Sequence, residues 1–136
     1  MSVLLVGISH NSAPVSLLER VALDGEGVQK LQHDAVSCTH VTEAAIISTC
    51  NRVEIYTEVD RFHGSVEELS RLLIERAGES AEAILPHLYV HYDDGAVAHL
   101  FQVAAGLDSM AVGEGQILGQ TREALRVGQE LGTVGP

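Results

Sequence analysis

The apolar run at the N-terminus constrains the fold most strongly. Ser2–Ile8 has no polar side chain after its first residue, and such a short unbroken run predicts a fully buried strand. The loop that follows, His10–Pro14, is rich in turn-forming residues, and Pro14 is well placed to open a short helix through Ala22. The chain is therefore predicted to begin with a buried strand, a turn and a helix.

Further helices and short strands are predicted beyond this helix. Asp24 can cap a helix that includes residues 29–33, and residues 42–49 and 53–59 are strand-like, the second with the alternation of a half-buried strand. A helix is predicted from Ser65 to about Ala77, with a capping box of Ser65 and Glu68. A helical turn over 81–85 and a short strand over 88–92 follow. The next helix is capped by Asp93 or Asp94 and ended by Gly106, and a last helix begins at about Gln116. The order contains too few βαβ units for a doubly wound sheet and predicts an α+β sandwich.

Length and composition indicate about one domain. The 136 residues can bury a single core but are few for a complete redox enzyme. No apolar span is long enough to cross a bilayer, and the first residues lack the basic and long apolar segments of a signal peptide. The two cysteines, Cys38 and Cys50, are therefore expected as free thiols in a reducing cytoplasm.

The segment Ser48–Tyr56 carries the strongest chemical signal. Cys50 follows an apolar strand, Arg52 comes two residues later and Glu54 four residues later. A nearby cation lowers the pKa of a thiol and makes it a nucleophile near neutral pH, and an arginine fork can hold a carboxylate. The segment therefore suggests acyl chemistry on an acidic substrate; the alternative is a buried, inert cysteine.

Two other patterns are weaker. In the glycine-rich run 113–119 the third glycine falls one place late, no strand precedes it, and Glu114 would oppose a pyrophosphate, so a dinucleotide site is not expected there. His87 and His91 have i,i+4 spacing, but Pro86 argues against a shared helical face. No zinc site is predicted, and these histidines are interpreted as surface or packing residues.

Three segments, 7–15, 48–56 and 99–120, resemble the glutamyl-tRNA reductase family in order and spacing. The resemblance covers nearly the whole chain and departs from the family at Gly115, where proline is usual. It implies a ferredoxin-like catalytic domain over residues 1–136 with additional helices at its C-terminal side. The NADPH-binding and dimerisation domains of the family are expected to be absent from this chain.

The same resemblance implies roles for individual residues. Cys50 would be the nucleophile, with His99 nearby to activate the thiol or to bind substrate. Arg52 would hold the glutamate side-chain carboxylate, and Glu54 would orient Arg52 or its loop. The other implied substrate contacts are Thr49, Asn51, Ser109, Glu114, Gly115, Gln116 and Gln120.

The function implied is NADPH-dependent reduction of glutamyl-tRNA to glutamate-1-semialdehyde through a cysteine thioester, the first committed step of tetrapyrrole biosynthesis. This chain would carry the thioester-forming half of that reaction. The complete enzyme would be a cytoplasmic homodimer that uses no metal and can transfer its product to glutamate-1-semialdehyde aminomutase. Two other classes remain open: a stand-alone cysteine esterase or acyltransferase, and a non-enzymatic amino-acid-binding module.

The net charge bears on the nucleic-acid partner. The chain carries a formal charge of −11 with only eight Lys and Arg together, whereas phosphate binding relies on those cations. We therefore expect that other domains supply the basic surface and that this segment engages only the aminoacylated tip. The alternative is that the charge simply keeps a small domain soluble.

Overall fold

The computed structural model describes residues 2–62 and 64–109. Its strands are β1 (Ser2–Ser9), β2 (Val41–Ser48), β3 (Arg52–Val59) and β4 (Tyr89–Tyr92). Its helices are α1 (Val15–Val21), α2 (Gly25–Val36), α3 (Ser65–Ala77), α4 (Ala81–Ile84) and α5 (Asp94–Ser109), with a 3-10 turn over Leu85–His87.

The strands form one antiparallel sheet in the order β2-β3-β1-β4. Helices connect β1 to β2 and β3 to β4, whereas β2 and β3 form a hairpin. This βαββαβ arrangement is the ferredoxin-like fold. The predicted α+β, ferredoxin-like class is therefore confirmed.

Both faces of the sheet are covered by helices. On one face Leu4, Val6 and Ile8 pack with residues of α1, α2 and α3 in the larger core. On the other face Leu5 packs with Ala96 and Leu100 of α5 in a smaller core. The prediction of a fully buried first strand is confirmed. The half-buried alternation predicted for β3 is wrong, because this strand is also interior and α5 covers the face that was expected to meet solvent.

Local sequence signals explain where two helices begin. The Asp24 carboxylate accepts a hydrogen bond of 2.6 Å from the Gly27 amide, which confirms it as the cap of α2. The capping box at Ser65 is wrong, because Ser65 is already the first residue of α3 and its hydroxyl donates to the Arg61 carbonyl at 2.7 Å. Gly64 holds the cap position with φ of +83°, a left-handed conformation that glycine adopts readily.

The residue that precedes helix α5 is hydrogen-bonded to strand β1. The Asp93 amide donates to the Val3 carbonyl at 2.8 Å, and the Asp93 carboxylate accepts from the Val3 amide at 3.1 Å. The helix continues through Gly106 to Ser109, so the predicted end at Gly106 is wrong. A glycine inside a helix costs only about 1 kcal/mol relative to alanine, and the strong helix formers around it carry the helix across. No helix among residues 2–62 and 64–109 is long and apolar enough to cross a membrane.

Candidate active site

Two connecting segments meet at one end of the sheet. The first follows β1, and the second joins β2 to β3 and carries Cys50. The His10 amide donates to the Asn51 carbonyl at 2.8 Å, which ties the two segments together. The turn around Cys50 is closed by the Thr49 amide, which donates to the Arg52 carbonyl at 2.8 Å, and by the Thr49 hydroxyl, which accepts from the Asn51 amide at 3.1 Å. The backbone on both sides of Cys50 is therefore fixed.

The two thiols lie in different surroundings, and both are free, as predicted. Cys50 is exposed on the turn between β2 and β3. Cys38 is half-buried between α2 and β2. The pKa of the Cys38 thiol is raised from 9.0 to about 11. Burial is the largest cause, and the hydrogen bond and negative charge of Glu68 add to it. The exposed thiol is therefore the better candidate for nucleophilic chemistry.

A fully buried carboxylate, Glu54, lies below this end of the sheet. The Tyr56 hydroxyl donates to Oε1 at 2.8 Å, and the Tyr89 hydroxyl donates to Oε2 at 2.5 Å. The same Oε2 lies 2.6 Å from His99 Nε2 and 3.3 Å from Arg52 Nη1. Groups from β3, β4 and α5 thus converge on one carboxylate.

Hydrogen bonding decides the ionisation of this cluster. Burial alone would raise the pKa of Glu54, but hydrogen bonds from His99, Tyr89 and Tyr56 and the charge of His99 outweigh it and lower that pKa. Burial and the charge of Glu54 raise the pKa of both tyrosines. Glu54 is therefore an anion at neutral pH, and the two tyrosines remain protonated donors.

Gly7 makes room for the cluster. It pairs with Glu54 across β1 and β3, and it is also the partner of Tyr89 in β4. A Cβ atom at Gly7 would lie 2.9 Å from Glu54 Cγ and 3.0 Å from the Tyr89 ring. Only glycine lets these two side chains pass over β1.

A pocket of about 450 Å³ opens beside the cluster. Its volume is within the range of small-molecule sites. Its walls contain mainly polar and cationic side chains, and none of the lining residues within the described part of the chain is Asp or Glu. The lining residues are Ser9, His10, Asn11, Ser12, Asn51, Arg52, Tyr89, His91, His99, Gln102 and Val103. Such a wall is suited to an anionic or strongly polar ligand.

His91 and His99 stack in this wall. Their ring centroids are 4.7 Å apart with an interplanar angle of 24°, and the Tyr89 ring lies 5.3 Å from the His99 ring. Burial and the charge of His99 lower the pKa of His91, which favours its neutral form. One face of the His99 ring is therefore covered by another imidazole.

Three of the residues predicted from the sequence line the pocket, and a fourth lies buried beneath it. Asn51, Arg52 and His99 line it, and Glu54 lies beneath them. Thr49 and Cys50 occupy the adjoining turn. Ser109 is the last residue of α5. The remaining predicted contacts, Glu114, Gly115, Gln116 and Gln120, and the predicted last helix lie outside the described residues.

Three details differ from the sequence interpretation. His99 forms its side-chain hydrogen bond with Glu54 and not with Cys50. His91, interpreted as a surface or packing residue, lies in the pocket wall, and Tyr56 and Tyr89 were not identified at all. Their signal was spacing: Glu54 and Tyr56 share one face of β3, and Tyr89 and His91 share one face of β4.

Neither a metal centre nor a dinucleotide site is formed by the described residues. Residues 2–62 and 64–109 contain no cluster of three or more His, Cys, Asp or Glu side chains that could hold a metal ion. Every pair of neighbouring strands in this part is antiparallel, whereas dinucleotides bind at the glycine-rich turn of a parallel βαβ unit. The residues present here do not fit a nicotinamide dinucleotide.

Known proteins resemble the chain over its whole length. "Glutamyl-tRNA reductase 1" of a Nocardioides species is 76% identical over 136 residues, covering 100% of this chain and 32% of that protein. The glutamyl-tRNA reductase of Streptomyces avermitilis is 57% identical, covering 99% of this chain and 24% of that protein. The solved structure of glutamyl-tRNA reductase from Methanopyrus kandleri is 32% identical with a TM-score of 0.63, covering 97% of this chain and 29% of that one.

The chain spans about a third or less of the length of these relatives. A family-wide comparison gives the same assignment, since the family described as "Glutamyl-tRNAGlu reductase, N-terminal domain" matches residues 6–136. The matched region includes the Cys50 turn, the buried Glu54 and the helix that carries His99. The chain therefore belongs to the family of glutamyl-tRNA reductase N-terminal domains.

Proposed function

We propose that this chain recognises the glutamyl group of glutamyl-tRNA and transfers it to Cys50 as a thioester. The observation that carries the proposal is the position of Arg52, which lines the polar pocket immediately beyond the Cys50 turn while Glu54 fixes it from below. The names of the relatives supply the substrate class, because each of them is called a glutamyl-tRNA reductase.

Arg52 would select the substrate by binding the side-chain carboxylate of the glutamyl group. One guanidinium nitrogen faces Glu54 at 3.3 Å, and the side chain is only 13% exposed. An arginine has five N–H donors, so further donors remain for a carboxylate in the pocket. Glutamine would present a neutral amide to this site. Loss of a buried polar match can lower the kcat/KM for the mismatched substrate by about 10⁴-fold or more, so glutamine would be rejected.

The acyl transfer balances as follows. The Cys50 thiol loses its proton to His99, and the thiolate attacks the ester carbonyl that joins glutamate to the terminal ribose. A carbon–sulfur bond forms and the carbon–oxygen ester bond breaks. The leaving ribose oxygen then takes the proton back from His99. Catalytic hydrogen bonds are often long or poorly aligned before substrate binds, so the present His99–Glu54 contact is compatible with this role.

The reductive half is proposed for the complete enzyme. There, the thioester would be reduced with NADPH to glutamate-1-semialdehyde, as the first committed step of tetrapyrrole biosynthesis. The homodimer, the cytoplasmic location and transfer of the product to an aminomutase are parts of the same proposal. Because the described residues do not fit a nicotinamide dinucleotide, we assign no reductive step to them and expect this chain alone to leave NADPH unconsumed.

Acid-quenched mass spectrometry tests the acyl transfer. The chain and the full-length protein are each mixed with glutamyl-tRNA that carries labelled glutamate, and the label is located by peptide mapping. We expect a glutamyl adduct on Cys50 that Cys50→Ser abolishes. Cys38→Ser is the matched control and should retain the adduct.

Three results would contradict the proposal. An adduct that persists in Cys50→Ser would move the nucleophile elsewhere. Glutamate binding by the full-length protein without any adduct would support an amino-acid-binding module, and turnover of small glutamyl esters without tRNA would support a cysteine esterase.

A further inference from the structure

The contact between His99 and Glu54 determines which nitrogen of the imidazole carries a proton. Nε2 lies 2.6 Å from the carboxylate oxygen Oε2. An ionised carboxylate can only accept hydrogen bonds, so Nε2 must be the donor. In the neutral ring Nδ1 is then the unprotonated nitrogen and the available proton acceptor.

We propose that Glu54 is a positioning residue that holds His99 in the Nε2–H tautomer and leaves Nδ1 as the base of the site. The role of that base in thioester formation rests on the proposed function. The tautomer itself does not, because it follows from the contact in the protein without substrate.

Burial argues against a direct contact between Glu54 and the substrate. Its side chain is 0% exposed, and it does not line the pocket. Both oxygens already accept hydrogen bonds or face donors, with Tyr56 on Oε1 and Tyr89, His99 and Arg52 around Oε2. A group enclosed in this way acts on the substrate through its neighbours.

The surroundings of His99 hold the ring in one orientation. Glu54, Arg52, Tyr89 and His91 are the titratable groups that face it from β3 and β4. His91 stacks on the ring at 4.7 Å, and Tyr89 lies at 5.3 Å. A half-turn flip about the Cβ–Cγ bond would put the carbon Cε1, and not Nδ1, against Glu54, so Nδ1 could reach the carboxylate only if the whole ring moved away from these neighbours.

The Glu54 carboxylate also contacts both His99, the proposed base, and Arg52, the residue proposed to bind the substrate carboxylate. Arg52 and His99 approach one oxygen atom, Oε2, from different elements of the fold. A change at Glu54 therefore reaches both the group proposed to hold the substrate and the group proposed to accept the proton. Its effect on acylation should exceed that of an ordinary buried hydrogen bond.

Nitrogen NMR of the imidazole tests the tautomer directly. The chain is labelled with ¹⁵N-histidine, and His99 is assigned by difference from His99→Asn. We expect a protonated Nε2 and an unprotonated Nδ1 in the wild type, and loss of this preference in Glu54→Gln. Glu58→Gln is the matched control, since it makes the same substitution in the same strand, and it should leave the spectrum unchanged.

The wild-type spectrum alone can overturn the proposal. A neutral His99 ring that is protonated at Nδ1 in the unmodified protein would do so, even if Glu54→Gln failed to fold. An unchanged tautomer in a folded Glu54→Gln variant would do so as well. Because this measurement reads the ring without substrate, it separates failure of this inference from failure of the proposed acyl transfer.

Single-turnover acylation of the full-length protein measures the consequence for the reaction. We expect Glu54→Gln to slow formation of the Cys50 adduct by about 10²–10⁴-fold, the range for general acid–base catalysis. The loss in the double variant with His99→Asn should be smaller than the two single losses combined, because Glu54 acts partly through His99 and partly through Arg52. Additive losses would show that Glu54 acts independently of His99 and would overturn the proposal.

Discussion

Gly7 shows how a residue without a side chain supports a charged site. Glu54 and Tyr89 lie over β1 at the one position where that strand has no Cβ atom. A buried carboxylate is tolerated only when donors replace its lost hydration, and here Tyr89 is one of those donors. The absence of a methyl group at Gly7 is therefore a condition for the electrostatics of the site.

Gly7→Ala should destabilise the protein and disturb the Glu54 cluster. The new Cβ would lie 2.9 Å from Glu54 Cγ and 3.0 Å from the Tyr89 ring, closer than atoms normally pack. We expect a loss of about 1–3 kcal/mol in the free energy of unfolding, as for other overpacked sites. Urea unfolding measures it. Gly25→Ala is the control, because nothing lies within 4 Å of its Cβ position, and an equal loss in that variant would refute the argument.

The two cysteines should react with iodoacetamide at very different rates. Cys50 is exposed, whereas the Cys38 thiol is half-buried and its pKa is raised from 9.0 to about 11, which lowers its thiolate fraction about a hundredfold. We expect Cys50 to be alkylated first near neutral pH, as followed by peptide mass spectrometry. Faster labelling of Cys38 would contradict the assigned environments.

The family resemblance named residues that the structure places together, but it did not predict their surroundings. Arg52, Glu54 and His99 were identified from a family resemblance, and the structure brings them into contact. The burial of Glu54 could not be predicted from the alternation in β3, because that pattern describes one strand and not the helix that covers it. Contacts between Glu54 and Tyr89 depend on strand order, which is a tertiary property.

Helices and strands were predicted well where the signal is local. The cap at Asp24 and the buried run of β1 depend on neighbouring residues, and both are confirmed. The ends that failed depend on context. Gly106 is a stop signal only when the chain turns there, and Ser65 can cap α3 only if it lies before the first helical residue.

Asp24→Ala should destabilise α2 without affecting the pocket. The substitution removes the 2.6 Å hydrogen bond to the Gly27 amide, and the loss of such a cap costs about 1 kcal/mol. Thermal unfolding followed by circular dichroism measures it. Asp24→Asn keeps a capping oxygen and should retain most of the stability; an equal loss in both variants would point to charge and not to capping.

The net charge of the whole chain and the side chains of its pocket wall differ in character. The sequence carries −11, yet the pocket wall presents the Arg52 guanidinium and, within the described residues, no carboxylate side chain, while the Glu54 anion lies buried beneath it. An acidic surface repels a polyanion such as RNA, while the pocket itself favours a small anion. This distribution supports the proposal that the chain contacts the aminoacylated end of a tRNA in preference to its backbone.

Stability should fall in acid through two groups whose pKa is lowered in the folded protein. For such groups the unfolded chain binds more protons, so their contribution is present above the ordinary pKa and is lost as pH falls through the folded one. For His91 this loss begins near 6.5, and for Glu54 near 4.5. Urea unfolding at a series of pH values measures it.

Variants separate the two contributions. His91→Gln should flatten the pH dependence below 6.5, and Glu54→Gln should flatten it below 4.5, each relative to Glu58→Gln. Stability that increases as the wild type is acidified through these ranges would contradict the assigned directions.

The order of the elements has a consequence for the protein while it is being made. His99 leaves the ribosome 49 residues after Cys50, an interval of about 2–10 s at ordinary rates of synthesis. Until then Glu54 lacks two of its donors, Tyr89 and His99, and β1 has no partner on the side that β4 later occupies. The nascent chain thus carries the proposed nucleophile before the proposed base, and under the proposed function acylation can begin only after β4 and α5 have been synthesised.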